Sequence, residues 1–169
     1  ICTRIDCVSL GIVVNRDGIR FYDEGEDFWP KRYAIWGRLV AMQPGQIAYS
    51  IIDSKAIGRF MPPVFDGTTA DTIEELAGKI GIDPAVLGKT VHDYNQACQP
   101  GTFDHTVLDD CHTEGIEPQK THWALPLNKP PYYAYPVRPG ITFTYLGLKT
   151  DKNASVFFDG KASPNLYAA

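Results

Sequence analysis

Two groups of side chains in this sequence have the residue types that metal binding or acid–base catalysis requires. His105, Cys111 and His112 carry metal-ligand atoms close together in the chain, and the carboxylates of 23–27 and 109–110 could pair as general acid and base. The histidine and cysteine spacing matches no standard zinc pattern. An acidic run in a loop is more often solvated. The residues alone therefore favour a solvated acidic loop, and no metal site is predicted.

An aromatic group in the last third of the chain could stack against a planar ligand, although tyrosine-rich strands more often provide core or edge packing. The group comprises Tyr132, Tyr133, Tyr135, Phe143 and Tyr145. The glycines form neither a G-x-G-x-x-G motif nor a P-loop, and no G-x-S-x-G motif is present. No phosphate cradle is therefore predicted within this sequence.

The composition restricts the class of protein. The chain has 169 residues, of which 44% are hydrophobic and 21% charged, as expected for a globular protein large enough to bury a core. Its formal net charge is -4 and it contains no run of Lys or Arg, so nucleic acid is excluded as a partner. Cys2, Cys7, Cys98 and Cys111 fit neither a disulfide framework nor a zinc site, and we expect reduced thiols.

Both ends of the chain have unusual features. The sequence begins at Ile1 without an initiator Met and stops in the apolar run 165–169. It contains no stretch of about 18 apolar residues that could span a bilayer, and no charged-then-apolar leader precedes the first predicted strand. We therefore expect a soluble, cytoplasmic piece of a longer chain, with no transmembrane segment.

The hydrophobic periodicity of the first third predicts a hairpin, a helix and a strand. The hairpin is expected from the apolar run 10–15, the turn 15–18 and the return 19–22. A helix is expected over 31–42 and a buried strand over 46–53.

The rest of the chain completes an α+β pattern. Residues 57–69 predict a loop, and Thr72 with Glu75 matches a capping box at the start of a helix. Asp83 followed by Pro84 opens a second helix, and the polar segment 98–118 predicts an extended surface loop. Short strands are expected over 132–137, 141–144 and 155–158.

Four segments, taken in order, resemble one known family. Residues 3–21, TRIDCVSLGIVVNRDGIRF, resemble T-E-x-x-R-G-x-G-x-x-x-V-N-x-x-G-x-R-F, and 129–148, KPPYYAYPVRPGITFTYLGL, resemble P-x-Y-A-x-x-x-x-P-G-x-x-x-T-x-G-G-L. Residues 70–94 and 160–169, the latter resembling G-x-x-x-x-x-L-Y-A-A, complete the series. The chain is thus similar to the capping domain of the fumarate reductase and succinate dehydrogenase flavoproteins. Its insert at 25–53 most resembles the tricarballylate dehydrogenase group.

The resemblance implies an FAD-dependent oxidoreductase that converts tricarballylate to cis-aconitate. Residues 1–140 would form the capping domain, which closes over the substrate, and 141–169 would begin the returning FAD-binding domain. The implied partners are a small polycarboxylate substrate, the flavin domain of the same chain and an electron-acceptor protein. The isolated piece is expected to be inactive and to bind no FAD by itself.

The resemblance also implies roles for individual residues. Arg32 matches the arginine that donates or accepts the proton opposite the flavin. Without the resemblance, Arg32 reads as a helix-start arginine paired with Glu24 or Asp27. The residues matched to cofactor binding are Gly147, Ala168 and Ala169.

The substrate-binding positions depart from the fumarate reductase pattern. Thr3 matches the threonine that binds a substrate carboxylate, but Arg4 replaces the relay glutamate and Cys7 the relay arginine. Phe143, flanked by Thr142 and Thr144, stands where the family has a substrate-binding histidine. These departures argue against fumarate or succinate, and the extra cation at Arg4 suits a third carboxylate.

Four alternatives stay open on the sequence. The chain could belong to a fumarate reductase-like enzyme with another substrate, or to the related ketosteroid or cobalamin-ring flavoproteins. It could also be a stand-alone ligand-binding or partner-binding module with the same architecture.

Overall fold

The centre of the fold is a four-stranded antiparallel sheet. The computed structural model describes residues 5–140 and 147–168. The sheet has the strand order β1-β2-β4-β3, and a separate two-stranded hairpin contains β5 and β6. The strands are β1 (Ile12–Asn15), β2 (Ala48–Asp53), β3 (Thr68–Ala70), β4 (Tyr132–Val137), β5 (Ser155–Phe158) and β6 (Lys161–Tyr167).

Three helices accompany the sheet, and local sequence signals define where they begin. They are α1 (Trp29–Ala41), α2 (Ile73–Ile80) and α3 (Pro84–Ala97). The Thr72 hydroxyl accepts a hydrogen bond from the Glu75 amide at the start of α2, and Asp83 caps α3 in the same way. No helix within the described ranges is both long enough and apolar enough to cross a membrane.

The sheet is covered on both faces, because side chains alternate along each strand. Ile12, Ile51 and Ala134 face α2 and α3 in the largest core cluster. Val13 and Ala48 point the other way and pack with Trp36 and Val40 of α1. The segment before β1 covers the rest of that second face, where Cys7 packs with Ile52 and Tyr135. Helix α1 and the first described residues therefore share one side of the sheet.

The predicted α+β class and all three helices are confirmed, with several corrections. The return of the first hairpin is a single bridge between Val14 and Arg20 rather than a strand. The predicted loop 57–69 ends in β3, because Thr68 and Thr69 pair with β4. The predicted capping box is confirmed, because the Thr72 hydroxyl accepts from the Glu75 amide and the Glu75 carboxylate accepts from the Asp71 amide.

Two further predictions have different outcomes. The segment 98–118 is irregular as predicted, but it is not all surface, because Cys111 and Thr113 are buried. Thr113 also bridges to Cys98 at the end of α3, which ties the loop to the core. The predicted strand 141–144 lies outside the described residues.

Candidate functional site

Arg32 lies in the first turn of α1 and is held by two side chains from the loop that precedes the helix. Its Nη2 donates to Glu26 Oε2, with which it forms an ion pair, and to the Tyr22 hydroxyl at 3.2 Å. The Tyr22 hydroxyl donates to the same Glu26 oxygen at 2.7 Å. Without the family resemblance, the sequence predicts that Arg32 pairs with Glu24 or Asp27. That expectation is wrong, because the partner is Glu26.

The Arg32 group is cationic and only partly accessible. The hydrogen bond that Arg32 donates to Glu26 raises the pKa of Arg32 above its ordinary value, and the same carboxylate raises the pKa of Tyr22. The Arg32 side chain is 27% exposed, and its Nε is buried with no hydrogen-bond partner among the described residues. An arginine in this state is suited to binding an anion. It would act as a proton donor only where water is excluded and a reacting carbanion faces it.

The loop that carries Tyr22 and Glu26 is anchored by a buried ion pair. Arg20 donates to both carboxylate oxygens of Glu24, at 3.0 and 2.6 Å, and its third contact is the Pro118 carbonyl at 2.7 Å. Glu24 also accepts from the Val13 amide of β1 at 2.8 Å. Burial disfavours the charge on Arg20, but Glu24 outweighs burial and the pKa of Arg20 is raised. The prediction that the whole acidic loop is solvated is therefore wrong at Glu24.

A second set of contacts fastens the same loop to the segment before β4. The Asp23 carboxylate accepts from the amide and the hydroxyl of Thr121, at 3.1 and 2.8 Å. Gly25 lies against the backbone of His122, where a Cβ would approach the His122 carbonyl oxygen to 2.2 Å. Only glycine fits at that position.

Lys120 is a fully buried cation beneath this loop. Its Nζ donates to the carbonyls of Ser9 and Gly11, at 2.9 and 2.6 Å, so it holds the chain just before β1. The ring of Tyr94 lies 6.0 Å from the ammonium. Burial lowers the pKa of Lys120 from its ordinary value of 10.5 to about 8. Lys120 thus connects the segment before β1 to the segment before β4, where the next residue, Thr121, holds the loop that carries the Arg32 partners.

The lowered pKa of Lys120 predicts a pH-dependent stability. Between pH 8 and 10.5 the unfolded chain binds more protons at this lysine than the folded chain does, so its contribution to stability rises with pH. From pH 7 to 9 we expect the contribution to rise by about 1 kcal/mol. The measurement is the free energy of unfolding by urea, for wild type and Lys120→Met, at pH 7 and at pH 9. The change in this free energy between the two pH values, compared between the two proteins, gives the contribution of Lys120. Parallel pH profiles for the two proteins would contradict this prediction.

The segment that follows Thr3 and Arg4 lies against the helix that carries Arg32. Trp29, three residues before Arg32 on α1, donates from its indole nitrogen to the Asp6 carboxylate at 2.8 Å. Residues three apart on a helix share a face. The described part of the N-terminal segment is therefore next to the first turn of α1.

Cys7 occupies the position that the family resemblance assigns to a relay arginine. Its sulfur lies 3.5 Å from the Ser50 hydroxyl, and burial raises the pKa of the thiol to about 12. A thiol in this state is uncharged at neutral pH and exchanges protons poorly. Cys7, Cys98 and Cys111 are free thiols, as the sequence predicts.

Several predicted site residues lie outside the described ranges. These residues are Thr3, Arg4, Thr142, Phe143, Thr144 and Ala169. Gly147 is exposed, and a Cβ there would have no atom of the described residues within 4 Å, so a flat ring could approach its backbone closely. The Ala168 amide donates to the Ala154 carbonyl at 2.9 Å, which leaves it no free donor for a cofactor.

The other groups that the sequence singles out have local partners. His112 contacts the Asp110 carbonyl and the Glu114 carboxylate, while His105 stacks on Phe103. Within the described parts of the chain, no three His, Cys, Asp or Glu side chains are grouped as a metal site requires. Tyr135 is buried in the sheet core beside Phe60. Its packing agrees with the core alternative for the aromatic group.

Sequence reasoning missed Tyr22, Glu26 and Lys120 as parts of the site. The contact of Glu26 with Arg32 could be predicted from the sequence, since Glu26 is six residues before Arg32 in the loop that leads into the helix. Lys120 has none, because its partners Ser9 and Gly11 are more than a hundred residues away in the chain.

Comparisons with known proteins match most of the chain to an FAD binding domain family and to oxidoreductases. A family model described as an FAD binding domain covers residues 9–169. The chain is 30% identical over 163 residues to an NADH:acrylate oxidoreductase from Vibrio harveyi, covering 94% of this chain and 15% of that protein. It is 31% identical to a probable fumarate reductase from Shewanella frigidimarina, covering 94% of this chain and 25% of the relative.

A solved structure shares this fold. It is the open conformation of a flavocytochrome c3 fumarate reductase, with a TM-score of 0.63 and 28% identity over 90% of this chain and 25% of that structure. The chain therefore spans between about one seventh and one quarter of the length of these relatives.

Proposed function

The chain belongs to the FAD binding domain family of oxidoreductases, which includes fumarate reductases, and we propose that it is the capping part of an FAD-dependent dehydrogenase that acts on a polycarboxylate. The proposed reaction is the conversion of tricarballylate to cis-aconitate. The observation that carries the proposal is Arg32 of α1, which Tyr22 and Glu26 hold and which lies one helical turn from Trp29, the residue that contacts Asp6 in the segment following Thr3 and Arg4.

The proposed domain boundary is supported by the strand pairing. All four strands of the main sheet lie before residue 140, whereas β5 and β6 pair with each other after it. Residues 1–140 would form the cap, and 141–169 would begin the return to the FAD-binding domain. The matched family model is described as an FAD binding domain. This description is compatible with a cap that is inserted within such a domain.

The proposed cofactor contacts fit FAD in part. Gly147 leaves open space for a planar ring, while Ala168 could contribute its carbonyl but not its bonded amide. When bound, FAD would supply the hydride acceptor of the reaction. The larger share of the FAD contacts would then come from parts of the protein outside this chain.

The roles of this chain in the reaction follow from charge and position. Arg32 would exchange a proton with the carbon next to the one that loses hydride, on the opposite face of the bond. Thr3 and Arg4 would bind substrate carboxylates, and Thr142, Phe143 and Thr144 would complete the set of substrate-binding residues. Closure of the cap would exclude water, so that a guanidinium of high pKa could take part in proton transfer.

A polycarboxylate substrate agrees with the charges at the proposed site. Arg4 adds a cation where the family pattern has an acid, and a guanidinium binds a carboxylate through two parallel hydrogen bonds. The proposed enzyme would therefore bind a third carboxylate that succinate does not have. A steroid has no carboxylate, so it would offer Thr3, Arg4 and Arg32 no anionic group to bind.

The test is flavin reduction in the full-length protein that contains this chain. The purified protein is expected to carry FAD, and its visible absorbance should bleach with tricarballylate but not with succinate or a 3-ketosteroid. In the Arg4→Glu variant, the Michaelis constant should rise at least tenfold more for tricarballylate than for a dicarboxylate, since about 1.4 kcal/mol separates binding with and without one ion pair.

The outcomes separate the alternatives. Equal effects of Arg4→Glu on both substrates would remove the role of Arg4. Bleaching by succinate or by the steroid alone would favour the corresponding alternative enzyme. A purified protein without flavin would favour a stand-alone binding module.

A further inference from the structure

Residues 20–26, which include most of the acidic run, have side chains that point in two directions and make different contacts. Arg20, Asp23 and Glu24 turn inward and fasten the loop to β1 and to the segment before β4. Tyr22 and Glu26 turn toward α1 and contact Arg32. We propose that Tyr22 and Glu26 are positioning residues, which hold the Arg32 guanidinium in the orientation that its reaction requires. This inference rests on the proposed function of Arg32.

The three groups form a closed set of contacts. Glu26 Oε2 accepts from both Arg32 Nη2 and the Tyr22 hydroxyl, and that hydroxyl accepts from Arg32 in turn. An arginine side chain has many rotamers, and two partners on one nitrogen select among them. Because both partners engage Nη2, the Arg32 position is fixed from one side of the guanidinium.

The partners are themselves attached to the core through the packing of their loop, which distinguishes this set from an ordinary surface ion pair. The Tyr22 ring packs edge-on against Trp36 of α1 with centroids 5.8 Å apart, and Trp36 is buried. The backbone of Gly25, the neighbour of Glu26, packs so closely against His122 that a Cβ would not fit between them. A rigid frame therefore connects the core to Arg32, and such preorganisation is what positioned catalytic groups need.

A neighbouring ion pair supplies the matched control. Lys31 pairs with Asp27 at 3.1 Å across the same junction between loop and helix, but its side chain is 62% exposed and its ammonium bonds to Asp27 rather than to Glu26 or Tyr22. If contacts at this junction matter only for local folding, then removing Lys31 and removing Glu26 should have similar effects. Positioning requires that the Glu26 effect be larger and specific to turnover.

The test uses the full-length flavoprotein with the variants Glu26→Ala, Glu26→Gln, Tyr22→Phe, Lys31→Ala and Arg32→Ala. With tricarballylate as substrate, we expect kcat to fall about tenfold to hundredfold in Glu26→Ala and several-fold in Tyr22→Phe, with KM changed less than threefold. Glu26→Gln should recover most of kcat, because an amide oxygen accepts the same hydrogen bonds. Lys31→Ala should behave as wild type, and flavin content should be equal in all variants.

A second readout needs no substrate. The modification rate of Arg32 by phenylglyoxal, followed by peptide mass spectrometry, should rise several-fold in Glu26→Ala and Tyr22→Phe and not in Lys31→Ala. If Arg32→Ala is inactive while kcat and the modification rate in Tyr22→Phe and Glu26→Ala match wild type, the positioning role is overturned. If Arg32→Ala is fully active, the proposed function of Arg32 fails instead. Should Glu26→Ala not fold, Tyr22→Phe, which loses one hydroxyl, decides between these outcomes.

Discussion

Replacing Arg32 by alanine is expected to abolish flavin reduction by substrate in the full-length protein while FAD stays bound. Loss of a positioned proton donor or acceptor lowers a rate by roughly 10²–10⁴-fold. FAD should remain bound because Arg32 lies on α1, whereas the proposed cofactor contacts lie at Gly147 and beyond. The measurement is anaerobic stopped-flow absorbance of the flavin mixed with tricarballylate.

Arg38 is the matched control for this experiment. It lies on the same helix, in its last turn, and its side chain is exposed. Arg38→Ala removes an equal charge from α1 without touching Glu26 or Tyr22. It should reduce flavin at the wild-type rate. Retained reduction in Arg32→Ala would show that the proton passes through another group, and the assignment of Arg32 would be withdrawn.

The parts of the fold that the sequence predicts well are those that depend on neighbouring residues. The side chains of Thr72 and Asp83 bond to amides two or three positions away, and α2 and α3 begin as predicted. The helix α1 starts at Trp29, two residues before the predicted 31, because Pro30 is accepted in its first turn.

What the sequence cannot predict depends on distant partners. The strand β3 is only Thr68–Ala70, and its pairing with β4 joins residues more than sixty apart. Short segments of this kind have too little periodicity to be distinguished from a loop.

The same reason applies to the candidate site. From composition, 23–27 is one acidic run, yet Glu24 is buried while Glu26 is 39% exposed. The difference is set by Arg20, Val13 and the segment before β4, which the acidic run itself does not specify. The family resemblance points to Arg32, but only the structure shows that Tyr22 and Glu26 are its partners.

Disrupting the buried pair in this loop is expected to cost more stability than any exposed ion pair of the chain. The Arg20 and Glu24 side chains are 5% and 0% exposed. Glu24→Gln would leave the buried guanidinium without a counter-charge, which typically costs about 3–5 kcal/mol. Urea unfolding of the chain, followed by tryptophan fluorescence, measures the loss.

An exposed pair at the same sequence spacing shows why burial determines the size of this effect. Lys89 and Asp93 are also four residues apart, but their side chains are 75% and 44% exposed. Lys89→Ala should therefore change stability by no more than about 0.5 kcal/mol. The double variant Arg20→Met/Glu24→Leu should be less destabilised than Glu24→Gln, because it removes both buried charges together. If Glu24→Gln cost no more than Lys89→Ala, the loop would not depend on this pair, and the frame that holds Glu26 and Tyr22 against Arg32 would need another anchor.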